Sequence, residues 1–252
     1  MTPSATFDPA SAAAVLLATV RVLAWLSVVP PFSGPYVPRT VRAGAALAVG
    51  LAIGPRLHLA AVPSWQGLIA DAVGQVVIGA AFGALAMVLL QAVTSAGDSL
   101  DLFGGLVLPQ ALEPIGAQAS TSVGQLYTMV TFALLIVTGG DLLLLRGLIT
   151  TFGVFGPTIS SLGPMAHSAA QAVTTMFTAT FEIVAPLLGV EFLVQVALGM
   201  LAKSAPTVNI FLFAFSVQTL VLILALAFGA SILPSAVHRL VDEALNLEGG
   251  LL

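Results

Sequence analysis

The sequence predicts an all-α membrane protein, and three features of its composition support this fold class. The chain has 252 residues, of which 58% are hydrophobic and only 7% are charged. Soluble proteins carry roughly 25% charged residues, so these few charges cannot cover a surface that faces water. The 24 glycines and 15 prolines are unfavourable in soluble helices but are tolerated in membrane helices.

Six apolar segments lie between helix-breaking residues, and each is judged against the roughly 20 residues that cross a bilayer. The second is short for a full crossing and predicts a partial or tilted span. The fourth is expected to be broken or kinked near Gly139 and Gly140. The fifth contains Pro186 and fits either one bent helix or two half-helices. The segments cover residues 10–29, 41–53, 65–96, 123–155, 168–201 and 207–233.

We expect these segments to form kinked hairpins in a single membrane-embedded domain that covers residues 1–252. The predicted parts are an N-terminal hairpin at 10–62, a central hairpin at 65–155, a C-terminal hairpin at 168–233 and a tail at 235–252. Lys and Arg in the connecting regions show no clear bias between the two sides, so they do not assign an orientation.

The composition argues against several classes of function. The net charge is −4 and the basic residues are scattered, so there is no basic stripe to bind nucleic acid. There is no Cys, which excludes disulfides, thiolate metal sites and cysteine nucleophiles. His58, His167 and His238 lie in separate regions, and no phosphate-binding loop or hydrolase motif occurs. We expect neither an enzyme nor a cofactor or metal site.

Several charged residues lie within the apolar segments, where a side chain that faces lipid costs several kcal/mol. They should therefore face protein, water or lipid headgroups. Each has either a functional role or a structural one, in which it pairs with another chain or extends from a helix end to the membrane surface. Glu182 and Glu191 fall on roughly opposite faces of a helix, which argues against one carboxylate site. Asp71 lies near the start of the third segment. The predicted buried charges are Arg21, Asp141, Arg146, Glu182 and Glu191.

Two glycines in the third segment, Gly79 and Gly83, are four residues apart. This spacing places both on one face of a helix and lets a second helix backbone approach closely. We predict that these glycines mediate helix packing.

The connection between the third and fourth segments, residues 97–122, is the most unusual stretch, because most connections are shorter than about 12 residues. It is apolar but rich in Gly and Pro, and irregular backbone in a membrane must be buried in protein or line a water-filled cavity. The composition predicts a re-entrant or pore-blocking loop, with an ordinary external loop as the alternative. The residues assigned to it are Phe103, Gly104, Gly105, Leu106, Val107, Leu108, Pro109, Leu112, Glu113, Pro114, Ile115 and Gly116.

Three stretches carry a family resemblance. The first is RVLAWLSVVP at 21–30 followed by VPRTVRAG at 37–44, the second is 78–83 followed by 95–101, and the third is LGMLAKSAPTVNIF at 198–211. In this order they resemble the FliR family, the R subunit of the bacterial flagellar export gate and its type III secretion counterpart. The family often has His where this chain has Asp141.

The resemblance implies a multi-pass subunit of the bacterial inner membrane, located in the flagellar basal body and present once per complex. It implies partners of three kinds: P-type and Q-type membrane subunits, other export-apparatus membrane proteins, and unfolded export substrates that pass through a channel. It also implies that residues 103–119 form a plug that closes this channel. One alternative is the same role in a virulence secretion system. A second is a stand-alone secondary transporter that uses Asp141, Glu182 and Glu191 as coupling residues.

Overall fold

A computed structural model describes residues 9–34, 37–57, 64–104, 122–154, 163–204 and 210–249. The described residues form eight α-helices and one short 3-10 helix, and they contain no strand. The fold class is all-α, as predicted. The helices are α1 (Pro9–Val28), α2 (Arg39–Ile53), α3 (Trp65–Phe103), α4 (Ser122–Val137), α5 (Gly140–Val154), α6 (Gly163–Ser204), α7 (Ile210–Gly229) and α8 (Leu233–Gly249).

Three helices are each long and apolar enough to cross a membrane: α1, α3 and the Ala170–Ser204 part of α6. Two bent helix pairs bring the number of candidate spans in the described residues to as many as five. The second of the six predicted segments is not among them. It forms α2, whose 15 residues are shorter than a bilayer core about 30 Å thick requires.

The predicted break in the fourth segment is confirmed. Helices α4 and α5 meet at an angle of 72°, and Gly139 between them has a φ of 71°. Glycine adopts this left-handed conformation without the steric cost that a β-carbon adds, and it commonly ends helices. A second bend, of 57°, separates α7 from α8. The predicted tail at 235–252 begins inside α8 and is helical as far as Gly249.

The fifth segment lies within one helix rather than two half-helices. Helix α6 has 42 residues and contains Pro186 in its interior. Proline has no N–H, so the carbonyl of Glu182, four residues earlier, loses its usual helical hydrogen bond. The remaining bonds along the helix keep it continuous through this point.

The chain divides into two compact units, which are described separately. The first unit combines residues 1–88, 141–172 and 243–252, and the second combines 89–140 and 173–242. Helices α3, α6 and α8 each contribute to both units. The predicted division into three hairpins and a tail stays a prediction.

In the first unit, α1 packs against α2 and α3 through glycines. A β-carbon added at Gly54 would lie 2.6 Å from the Cα atom of Val15, and one added at Gly50 would collide with Thr19. Such short distances mean that the backbones are in direct contact, a mode of packing that small residues make possible in membrane helices. Large side chains of α1, including Leu17, Val22 and Trp25, fill the core of this unit.

Candidate functional site

Arg21 is the most deeply placed charge of the first unit, with 1% of its surface exposed. Its Nε atom donates a hydrogen bond to Oε1 of Gln75 at 2.6 Å, and its Nη1 atom donates to Oγ1 of Thr151 at 3.2 Å. Its guanidinium carbon lies 4.2 Å from the ring centroid of Phe152. These contacts join α1, α3 and α5 around one side chain.

The partners of Arg21 suit a planar cation. Thr151 donates its own hydroxyl proton to the carbonyl of Leu148 at 2.6 Å, which leaves its oxygen lone pairs free to accept from Arg21. A hydrogen bond that involves a charged group contributes about 1.5–3 kcal/mol, and a desolvated cation–π contact about 2 kcal/mol. The cluster therefore holds three helices together rather than supplying acid–base chemistry.

Gly79 and Gly83 lie where α3 crosses α1. A β-carbon at Gly79 would collide with the carbonyl oxygen of Arg21, and one at Gly83 would lie 3.0 Å from Cβ of Val28. The two helix backbones meet directly at this crossing, which is immediately beside the Arg21 cluster.

The other predicted buried charges occupy different environments. Asp141 is half-buried in the first turn of α5, and Arg146 is exposed. Glu182 is also exposed and lies 3.1 Å from Nη1 of Arg239, with which it forms an ion pair. Arg146 is two residues from buried Leu144 and lies on the other side of α5, which explains its exposure within the chain. Arg146 and Glu182 are thus exposed within this chain, and their burial against other subunits stays a prediction.

Glu191 has no exposed surface, and neither of its carboxylate oxygens has a hydrogen-bond partner among the described residues. It shares the buried face of α6 with Val184 and Leu187, whereas Glu182 is on the exposed face. The two glutamates therefore do not form one carboxylate site. Across the part of the chain that the structure describes, no three His, Asp or Glu residues are grouped to hold a metal ion.

The predicted plug-like loop begins later than the sequence indicated. Residues 97–103 belong to α3, so the assignment of residues 97–122 to a loop is wrong at its start. Phe103 is the last residue of α3, and Gly104 follows it directly. The other residues assigned to the loop lie outside the described residues. They are Gly105, Leu106, Val107, Leu108, Pro109, Leu112, Glu113, Pro114, Ile115 and Gly116.

Helix α3 continues past Gly97 because it packs against α4 there, in the second unit. A β-carbon at Gly97 would lie 2.9 Å from both the carbonyl oxygen of Val123 and Cα of Gly124. Near the end of the helix, buried Asp101 accepts a hydrogen bond from the backbone N–H of Val123 at 2.8 Å. Sequence reasoning missed both residues, although an acidic residue among apolar ones was a signal for Asp101.

Comparison with known proteins gives the family. The chain matches the model of the bacterial export proteins, family 1, over residues 12–244. It belongs to this family. The match covers nearly every described helix, and together with the apolar helices it makes this family member a membrane protein of a bacterial export apparatus.

Its relatives include flagellar biosynthetic proteins and a secretion system apparatus protein. The flagellar biosynthetic protein FliR of Escherichia coli is 28% identical over 232 residues, which cover 90% of this chain and 88% of the relative. FliR of Bacillus subtilis is 27% identical, over 79% of this chain and 78% of the relative. The secretion system apparatus protein SsaT of Salmonella typhimurium is 25% identical, over 75% of this chain and 71% of the relative.

Proposed function

We propose that this chain is a subunit of the bacterial flagellar type III protein export gate. In this role it forms part of the channel through which unfolded flagellar substrates cross the inner membrane, and it is needed for flagellum assembly. The observation that carries the proposal is the family match over residues 12–244, together with flagellar relatives such as the E. coli protein.

The proposed partners are P-type and Q-type export-gate membrane subunits, with the assembly located in the flagellar basal body. Helix α6 supports a role in a larger complex. Only 28% of its most apolar window is buried inside the chain, so its large exposed side chains require lipid or other helices to cover them. Examples are Phe177, Phe181, Phe192 and Met200.

The proposed plug is the segment that follows α3, which ends at Phe103, and Gly104 is its first residue. Its apolar side chains, including Leu106, Leu108 and Ile115, would close the channel by excluding water and ions. Its glycines and prolines would let it move aside during export. We expect no catalysis from this subunit, which would act as a structural part of the gate.

The proposal is tested first by stoichiometry. The tagged chain is extracted from its own membrane with a mild detergent, and the intact complex is measured by native mass spectrometry. One copy of this chain with several copies of two other small membrane proteins is expected. A lone monomer or a homo-oligomer would contradict the export gate and favour a stand-alone transporter.

The relationship to SsaT supports one second candidate, the same role in a virulence secretion system. Deleting the gene from its own host separates the two candidates. Loss of flagellar filaments and motility is expected for the flagellar gate. Intact flagella with loss of another set of secreted proteins would assign the chain to the virulence system instead.

A further inference from the structure

We propose that α6 crosses the bilayer only with residues 183–204, and that the ion pair between Glu182 and Arg239 lies at one surface of the membrane. Helix α7 crosses beside this part of α6. The earlier part of α6 and helix α8 then lie outside the hydrocarbon core. The inference concerns the second unit, from residue 173 onward, and it depends on the membrane location of the chain but not on its role in the export gate.

The apolar part of α6 is too long to fit inside a bilayer. It covers Ala170–Ser204, and its 35 residues extend over about 52 Å. The hydrocarbon core of a bilayer is about 30 Å thick. Membrane helices are tilted by up to about 40°, whereas a tilt above about 50° would be needed to place this whole helix inside the core. Part of α6 therefore lies outside it.

Two exposed charges on α6 indicate where it enters and leaves the core. The side chain of Glu182 is 52% exposed, and Lys203 is exposed in the last turn. Lys203 follows Glu182 by 21 residues, which is a rise of about 31 Å along a helix. This rise equals the thickness of the core, and a charge that faces lipid is strongly unfavourable. Both charges reach water or headgroups if the residues between them cross.

The outer surface of α6 between these charges suits lipid or other membrane helices. Among the exposed residues that the structure describes over 183–202, all are apolar or glycine except Gln195. The amide group of Gln195 donates a hydrogen bond to the carbonyl oxygen of Phe103 at 3.0 Å, which lowers the cost of its position. Helix α7 has 20 residues without a charge and is about 30 Å long. The two helices therefore form an apolar hairpin that matches the core.

Helix α8 leaves this hairpin at the level of Glu182. A β-carbon added at Gly229, the last residue of α7, would lie 3.1 Å from Cδ1 of Leu187 in α6. Arg239 is ten residues beyond Gly229, or about 15 Å of helix, and a bend of 57° leaves about 8 Å of this along α6. Leu187 and Glu182 are separated by about the same rise, which agrees with the contact of 3.1 Å between Glu182 and Arg239.

The exposed face of α8 is polar, so this helix must lie in water or among headgroups. Its apolar side chains, such as Val237 and Leu240, are buried in the protein. Ser235, His238 and Asp242 are exposed on its other side. A helix that lies on a bilayer turns its apolar face towards lipid. In α8 that face is already covered by protein, and only polar side chains remain to meet the surroundings.

The part of α6 outside the core has two different sides. Thr178 is exposed one turn before Glu182, on the same side of the helix. Val173 and Phe177 are exposed on another side. Lipid cannot cover these two apolar side chains outside the core, so a neighbouring subunit must cover them. This requirement agrees with a hetero-oligomer, and it leaves the side with Thr178 and Glu182 open to water.

The absence of cysteine from the natural chain allows the boundary to be measured by labelling. Thr178, Leu193 and Val196 lie on one exposed side of α6, and each is replaced by Cys in the full chain within its own complex. Ser204→Cys and Ser235→Cys are made in the same way. Isolated membranes are sonicated so that a charged maleimide reaches both faces, and the tagged chain is then purified. Labelling after denaturation in detergent gives the full value, and the natural chain gives the blank.

We expect Thr178→Cys, Ser204→Cys and Ser235→Cys to react at least several-fold faster than Leu193→Cys and Val196→Cys, because maleimides react with thiols that water can ionise. Protection of Thr178→Cys or Ser235→Cys would overturn the proposal. Reaction of Leu193→Cys as fast as Thr178→Cys would overturn it as well.

A pair of charge substitutions tests the same boundary without labelling. Thr178→Arg and Leu193→Arg add the same charge to the same side of α6. Thr178→Arg should accumulate in the membrane as the natural chain does, whereas Leu193→Arg should fall several-fold, because only the second places the charge inside the core. Equal amounts of the two variants would overturn the proposal. Both measurements follow the inserted chain and not export, so a failure of the export-gate assignment leaves their outcomes unchanged.

Discussion

Three glycines of the first unit form a graded test of how closely its helices pack. At Gly79 an added β-carbon collides with a backbone oxygen of α1, namely that of Arg21. At Gly83 it lies 3.0 Å from Cβ of Val28, and at Gly44, in the interior of α2, no atom of the described residues lies within 4 Å. Replacing each glycine by alanine adds the same atom to a helix, so the neighbours alone determine the difference.

The expected free energies of unfolding follow from two opposing terms. Alanine stabilises a helix interior by about 0.5–1 kcal/mol relative to glycine, and Gly44→Ala should show this gain alone. Gly79→Ala also forces two backbones apart, and such overpacking costs about 1–3 kcal/mol. The net effect of Gly79→Ala is therefore a loss of about 0–2.5 kcal/mol, and Gly83→Ala should lie between Gly79→Ala and the open position.

The assay is thermal unfolding of the tagged chain, either purified in mild detergent or within the isolated complex. A change of 1 kcal/mol shifts Tm by about 2–4 °C for a chain of this size. The order of Tm values should be Gly44→Ala highest, then Gly83→Ala, then Gly79→Ala. Equal Tm values for Gly79→Ala and Gly44→Ala, or a gain at Gly79, would refute the close contact between α1 and α3.

Three further substitutions test the charged residues by the same thermal assay. Arg21→Met should lower the free energy of unfolding by about 2–4 kcal/mol, because buried Gln75 loses a charged hydrogen-bond donor. Arg21→Lys should recover little of this loss, because Lys lacks the planar guanidinium group that reaches two partners. Unchanged Tm in Arg21→Met would contradict the cluster. Glu191→Leu should keep or raise Tm, since it removes a buried carboxylate that has no partner in the part of the chain that the structure describes. A clear loss of Tm would show that this carboxylate is bound in the natural complex. Glu182→Gln should change stability by less than about 1 kcal/mol because its bond to Arg239 is exposed to solvent, and a larger loss would contradict that placement.

The features that the sequence predicted correctly depend on local composition. The all-α membrane class follows from the small number of charges, and the break at Gly139 follows from a glycine pair in an apolar run. Both are properties of a short window and need no knowledge of neighbouring helices. The short second segment is a similar case, because the 15 residues of α2 are apolar but too few to cross the bilayer fully.

The features that the sequence did not predict depend on contacts between distant parts of the chain. Arg21 was recognised as a charge that needs partners, but its partners Gln75 and Thr151 are 54 and 130 residues away. The four-residue spacing of Gly79 and Gly83 predicted a packing face, but not that α1 lies against it. With one sequence, the periodicity of a helix identifies a face and leaves its neighbour unknown.

The start of the predicted loop shows how a membrane environment changes the meaning of a residue. Gly97 and Asp101 both weaken a helix in water, and the predicted third segment ends at residue 96, just before them. In the structure Gly97 is where α4 approaches the backbone of α3, and Asp101 satisfies a backbone N–H at the start of α4. Buried backbone groups at a helix end must find partners, and without water the cost of leaving them unpaired exceeds the difference in helix propensity. The residues that look like helix breakers are thus the ones that let α3 continue beside a second helix, and a prediction from propensity alone ends the helix too early.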